Sequence, residues 1–204
     1  MTNRELVTFA RTKLGTAYVY GMKGDILTEK KYDQLKILFG DLVWDSDRKK
    51  IGKICVDCSG LISWATGIHR NSQGYHDTAA AVFPISTVDQ APVGAAVWCK
   101  GHIGIYLGNG KYIAADGSRY GVRIADVKGS SFTHWFFLKD ITYREEEMVT
   151  KENIIYNEKT YPVEMIRKDG VTYIKTRDIA RVLGLSVGNQ GKTPVLADKK
   201  DSIA

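Results

Sequence analysis

An α+β fold, with helices first and an antiparallel sheet after them, is what this 204-residue chain predicts. Two observations carry that reading: apolar residues recur at helical spacing through residues 1–83, and from Gly94 the pattern becomes sheet-like, with glycine-rich turns between the runs. A third is the charged run Arg144-Glu145-Glu146-Glu147, which divides the chain. Beyond it, short strand patterns and one helix read as a second, small α+β unit. The expected division is a domain over 1–143, a linker over 144–150 and a small domain over 151–204.

The elements follow in order. Thr2 and Glu5 form a capping box for a helix carrying Leu6, Val7, Phe9, Ala10 and Leu14, stopped by Gly15. Residues 17–21 read as a short extended piece with a turn. Thr28 caps a second helix over 27–40, with Tyr32, Leu35, Leu38 and Phe39 as its apolar positions. Polar residues 45–53 mark a surface loop. The run Val56-Asp57-Cys58-Ser59-Gly60 then feeds into an apolar helix closed by Gly67. A polar loop with His69 and His76 follows, then a short helix over 77–83 ending before Pro84. Strands are predicted at 95–98, 102–107, 111–115 and 122–126, with a hairpin turn at Gly108-Asn109-Gly110. Alternation puts His102, Gly104 and Tyr106 on one face and Ile103, Ile105 and Leu107 on the other, and Gly104 leaves room beside the histidine.

In the second unit, strands at 154–156, 161–166 and 171–175 are joined by Asn157-Glu158-Lys159 and Lys168-Asp169-Gly170. Thr176 caps a helix ending at Leu183-Gly184, and the tail from 197 to 204 is frayed. A unit of about 55 residues sits near the lower limit for independent folding, so it is expected to lean on the first domain or on a copy of itself.

Hydrophobic residues make up 44% of the chain, enough for a packed core. The +6 net charge comes from basic residues spread along both halves, which implies mild attraction to polyanions and not a nucleic-acid-binding block. No segment approaches the roughly 20 apolar residues of a membrane span, and the first residues have no apolar core of signal-peptide length. Three cysteines, an odd number, argue for reduced thiols and against a disulfide framework.

Chemistry concentrates at Cys58 and His102. A thiol at a helix N-terminus faces unpaired backbone N–H groups and the positive end of the helix dipole, which favour a thiolate. A histidine on a facing strand would complete the Cys/His pair of papain-like catalysis. The plain alternative for Cys58 is a buried structural thiol, and for Tyr18 a core aromatic; His69, His76 and His134 read as loop and surface residues. A different chemistry is also encoded: Cys55 and Cys58 form a CxxC, Cys99 and His102 a CxxH, and together they imitate a four-ligand zinc site. Against it, Cys99 and His102 point to opposite faces of a strand unless Gly101 opens a knuckle. The Cys55 and Cys58 thiols also suggest a reversible disulfide that would switch the site off under oxidation.

Three runs, Gly15-Thr16-Ala17-Tyr18-Val19-Tyr20-Gly21, Asp57-Cys58-Ser59-Gly60-Leu61 and Gly101-His102-Ile103-Gly104-Ile105-Tyr106-Leu107-Gly108-Asn109-Gly110, resemble the NlpC family of papain-like bacterial cell-wall cysteine peptidases. The resemblance implies a papain-like catalytic domain over 1–143, with N-terminal helices packed on an antiparallel sheet. It also implies cofactor-free hydrolysis of peptidoglycan stem peptides, typically between γ-D-glutamate and the diamino acid. Carried over, Cys58 is the nucleophile, His102 the general base, and Tyr18 with the Cys58 backbone N–H the oxyanion donors. Asp57 and Ser59 shape the pocket, the Asp57 carboxylate receiving a substrate ammonium, and Tyr20 is assigned to the substrate side. One position departs: the family's third polar residue, often His, falls at Ala114, and Asp116, two residues on, is the substitute orienter of His102.

The second unit, around residues 164–178, resembles the small stalk-type domains (copper amine oxidase N-terminal-like) of some wall enzymes, which implies attachment, spacing or a homodimer. The expected setting is a phage or prophage lysin made in the bacterial cytoplasm without a signal peptide and acting on the wall after release. Two alternatives stay open: a zinc-stabilised wall-binding module and an inactive family member.

Overall fold

The computed structural model describes residues 1–143, 149–168, 171–191 and 193–198. The charged run at 144–147, the turn at 169–170 and the tail from 199 lie outside the described residues. The chain forms two compact units, residues 1–144 and 145–204.

Unit 1 begins with α1 (Asn3–Thr12), whose capping box is complete: the Thr2 side chain accepts from the Glu5 N–H and the Glu5 side chain accepts from the Thr2 N–H. Next come β1 (Ala17–Tyr18), β2 (Lys23–Ile26) and α2 (Glu29–Phe39), the last capped by Thr28 accepting from the Lys31 N–H. After β3 (Ile54–Val56) comes α3 (Cys58–Thr66), capped by Asp57 and ended by Gly67 in the left-handed conformation. The strands β1 and β3 run parallel, β2 and β3 antiparallel, in a small sheet of order β1-β3-β2. Then follow α4 (Ser72–Asp77), β4 (Val82–Pro84), β5 (Ala96–Cys99), β6 (His102–Gly108), β7 (Lys111–Ala115), β8 (Val122–Asp126) and β9 (His134–Phe136). These strands build an antiparallel sheet of order β4-β9-β5-β6-β7-β8.

The alternation along β6 separates two cores. Ile103 and Ile105 join Leu6, Ala10, Leu61 and Ile62, so one sheet face packs on α1 and α3. Tyr106 joins Val97, Tyr112, Ala114 and Trp135 on the other. A third cluster, with Val19, Met22, Leu27, Tyr32 and Cys55, lies under α2.

Three expectations are corrected here. Residues 45–53 are not a plain surface loop: a 3-10 helix spans Asp45–Lys50, and Asp47 is fully buried. Its carboxylate accepts from Lys50 Nζ at 2.6 Å, Ser118 Oγ at 2.9 Å and the Trp44 N–H at 3.1 Å, which satisfies the charge inside the fold. The helix expected over 77–83 lies earlier, as α4, because Asn71 caps it there by accepting from the Gly74 N–H. The expected segment instead supplies β4, where a proline is tolerated because the strand is at the sheet edge. Finally, the room at Gly104 is taken: a Cβ there would come within 3.1 Å of the Tyr112 ring and 3.2 Å of the Ala114 and Val97 side chains.

Unit 2 holds β10 (Thr150–Tyr156), β11 (Lys159–Lys168) and β12 (Val171–Ile174) as an antiparallel meander, then α5 (Thr176–Leu183) and the hairpin of β13 (Leu185–Gln190) and β14 (Thr193–Asp198). Its core cluster is Val163, Met165 and Val182. Thr176 is the first residue of α5, not its cap; the cap position is Lys175, whose side chain makes no capping bond, and Asp178 in the first turn accepts the Glu164 N–H at 2.8 Å.

Candidate active site

The site forms where the start of α3 meets the start of β6. Asp57 caps α3, so the next residue, Cys58, enters the first turn with its thiol toward the sheet. The cap is unusually well supplied. Asp57 Oδ1 accepts from the Gly60 N–H at 2.5 Å and Ser59 Oγ at 2.9 Å, Oδ2 accepts from the Gly21 N–H at 2.9 Å, and Lys23 Nζ reaches both oxygens at 3.2 and 3.3 Å. The glycine of the Asp57-Cys58-Ser59-Gly60 run has a steric cause: a Cβ at Gly60 would stand 2.3 Å from the Met22 carbonyl oxygen.

Cys58 is buried, with its sulfur 4.0 Å from the Gly101 carbonyl oxygen at the mouth of β6. His102 begins that strand. Its Nε2–H donates to Asp116 Oδ1 at 2.9 Å, its ring stacks on Phe132 at 5.3 Å between centroids and 7° between planes, and Nδ1 is left for the Cys58 sulfur. Burial alone would lower the His102 pKa, but the Asp116 bond and the Cys58 sulfur outweigh it and raise it to about 10. The imidazole therefore carries its second proton at neutral pH.

Asp116, just past the end of β7, is the hub behind the histidine. Its Oδ2 accepts from Tyr112 Oη at 2.9 Å and Arg123 Nε at 2.6 Å, and its side chain is only 4% exposed. Burial pushes the Asp116 pKa up, yet the bonds from His102, Arg123 and Tyr112 win and hold it below the ordinary value. Ala114 is fully buried and faces Arg123 across the β7–β8 register, so the arginine reaches Asp116 from the strand opposite the small residue.

Tyr18 is half-buried against the same core as Cys58; burial, then the neighbouring Cys58 and Asp57, raise its pKa well above the usual tyrosine range, so the hydroxyl stays a proton donor. Its backbone carbonyl accepts from Lys50 Nζ at 2.7 Å, and the same ammonium donates to the Ser118 carbonyl at 2.9 Å. One partly buried cation thus ties Tyr18 to the loop that follows Asp116. Tyr20 packs edge-on against Phe39 and also feels Asp57 and Cys58, which with burial raise its pKa. A cavity of about 350 Å³ opens beside the His102 ring, lined by Tyr18, Tyr112, Asp116, Arg123 and Phe132 among others.

The seven residues expected at the site, Cys58, His102, Asp116, Tyr18, Asp57, Ser59 and Tyr20, thus fall in one region. The NlpC/P60 family model matches residues 15–140, the stretch that carries all of them. This chain belongs to the NlpC/P60 family. No curated protein matches.

Solved structures similar to this NlpC/P60 domain include NlpC2 from Trichomonas vaginalis, with 21% identity and TM-score 0.45 over 67% of this chain and 46% of that one. The peptidoglycan hydrolase RipB from Mycobacterium tuberculosis has 24% identity and TM-score 0.46 over 67% and 64%. The P60 domain of an antigen from M. avium subspecies paratuberculosis has 20% identity and TM-score 0.46 over 67% and 93%. The chain therefore spans about half the length of the first of these and under two thirds of the second. The NlpC/P60 unit has an α+β arrangement, with the N-terminus of α3 against an antiparallel sheet.

The zinc alternative is overturned by the packing of this NlpC/P60 domain. Cys55 packs with Val19, Met22 and Leu27, Cys58 packs with Leu6 and Leu61, and Cys99 lies 3.5 Å from Ser131 Oγ. Among the described residues no three His, Cys, Asp or Glu side chains gather to hold a metal. Cys55, Cys58 and Cys99 are all free thiols. The sequence reading missed Lys23, Lys50, Tyr112, Arg123 and Phe132. Tyr112 and Asp116 are four residues apart and could have been paired by the strand period; Arg123 comes from the next strand, seven residues on, and Lys23 and Lys50 reach Asp57 and Tyr18 across 34 and 32 positions and left no local signal.

Proposed function

We propose that this protein is a peptidoglycan hydrolase that cuts a stem peptide between γ-D-glutamate and the diamino acid by cysteine nucleophilic catalysis. What carries the reading is His102 standing between the Cys58 sulfur and Asp116, in a chain of the NlpC/P60 family. The Cys58 thiolate attacks the scissile carbonyl carbon, forming a C–S bond and a tetrahedral oxyanion. The Tyr18 hydroxyl and the Cys58 backbone N–H donate to that oxygen. Collapse breaks the C–N bond as the His102 imidazolium passes its proton to the leaving amine. Neutral His102 then takes a proton from water, whose oxygen attacks the thioester and restores the thiolate. Asp116, fixed by Tyr112 and Arg123, keeps the ring in place through both steps.

The test is incubation of wild type and Cys58→Ala with purified peptidoglycan of several wall types, with and without chelator, followed by mass spectrometry of released fragments. Release at one stem-peptide bond, lost in Cys58→Ala and unaffected by chelator, is the expected result. No release from any wall by wild type overturns the reading.

A further inference from the structure

The carboxylate beside the nucleophile was expected to receive a substrate ammonium, yet it already has one. Lys23 Nζ lies 3.2 and 3.3 Å from the two Asp57 oxygens and 2.9 Å from Ser59 Oγ, which in turn bonds Asp57. With the Gly21 and Gly60 N–H groups added, both oxygens are fully engaged. Lys23 cannot easily swing away, because its backbone is paired with Val56 in the small sheet and its side chain is only 22% exposed. The carboxylate and the ammonium cancel. A second ammonium brought to this wall would find no free acceptor and would meet Lys23 head-on in a partly buried site, where like charges interact strongly. The other ionisable groups nearby are the phenols Tyr18 and Tyr20, neutral at working pH, the Cys58 sulfur, which is paired with His102, and Asp47, which is paired with Lys50.

We infer that Lys23 is a specificity residue: by seating its ammonium on Asp57 and Ser59 it closes that acceptor to a free amino end and directs the site to stems whose amino end is acylated, as it is in uncut wall. The inference rests on the hydrolase reading above. It assigns the protein to the first cut in polymeric wall, ahead of reactions that process released peptides with free amino ends.

The experiment compares two synthetic stem peptides that differ only in a free or N-acetylated amino end, with wild type, Lys23→Met and Lys23→Arg. Wild type should favour the acetylated peptide in kcat/KM by about tenfold or more, the scale of one like-charge contact. Lys23→Met leaves Asp57 capped by Gly21, Gly60 and Ser59 but frees it electrostatically, so the ratio should fall at least severalfold toward the free-amine peptide; Lys23→Arg should keep the wild-type ratio. A purely structural lysine would lower both rates and leave their ratio unmoved. Faster cleavage of the free-amine peptide by wild type, or a ratio unchanged in Lys23→Met, overturns the inference while leaving the hydrolase reading intact. Should Lys23→Met not fold, the wild-type ratio decides. Cleavage of neither peptide, nor of whole wall, removes the hydrolase reading and this inference with it.

Discussion

At His102 a buried carboxylate and a nearby sulfur outweigh the effect of burial, and the imidazole stays protonated to about pH 10. Asp116→Asn keeps the shape but removes the charge, so the histidine should titrate closer to its ordinary value of 6.5. The alkaline limb of the rate profile should then move down by one to two pH units or more, with kcat lowered about 10²- to 10⁴-fold, the range of a general acid–base contribution. A pH-rate profile of both proteins checks this; an unmoved limb with the same loss of rate would mean that Asp116 acts only on geometry. The same bond shapes stability. His102 is raised from 6.5, so its share is complete below that pH and is lost as pH climbs through about 10. Asp116 is lowered from 3.8, so its share is complete above that pH and is lost as pH falls below it. Denaturant midpoints measured between these limits should therefore exceed those at pH 10.5, and Asp116→Asn should flatten the alkaline difference.

The first turn of α3 and the turn that enters β2 at Met22 approach closely because Gly60 has no side chain. Gly60→Ala forces the Met22 carbonyl away and should cost roughly 2 kcal/mol or more, as overpacking at a site that cannot give way does. A urea melt measures it. A smaller loss would mean that the β2 turn yields easily. Lys50→Met is a second test at this scale. It strands the fully buried Asp47 and releases both the Tyr18 carbonyl and the Ser118 loop, so we expect a loss of about 3 kcal/mol or more in the same melt. What the sequence disclosed follows the same lines. Thr2, Thr28 and Gly67 announced their helices because caps are local chemistry, and Gly108-Asn109-Gly110 announced its hairpin for the same reason. The proposed nucleophile Cys58, the proposed base His102 and Tyr18 could be singled out because each lies in its own short run. The extended piece that supplies β1 was read, but β2 and β3 were not, being four and three residues long and held by pairing within the small sheet. Asp47 looked like solvent-facing loop because Ser118, one of its partners, is 71 residues away. Lys23 was invisible as a site residue for a like reason: Asp57 stands 34 positions further on.

Across the whole molecule the two units differ greatly in what holds them. Unit 1 has three apolar clusters, whereas the described core of unit 2 is one small cluster under α5. Small cores leave little margin over chain entropy, so unit 2 should melt first. The sequence provides its own reporter: all four tryptophans, Trp44, Trp64, Trp98 and Trp135, lie in unit 1. On heating, far-UV circular dichroism should begin to fall before tryptophan emission shifts; coincident curves would show that the units unfold as one. A last consequence comes from the first strand contact of the chain. Thr2 bridges Thr142, Asn3 N–H donates to the Thr142 carbonyl and Thr142 N–H to the Met1 carbonyl. Unit 1 thus starts and finishes at a single point, like a clasped ring. Such a ring can be spliced into a surface loop of an unrelated host protein, or reopened at the Asn109-Gly110 bend with its old ends sewn together, without stretching the backbone that carries Cys58 and His102.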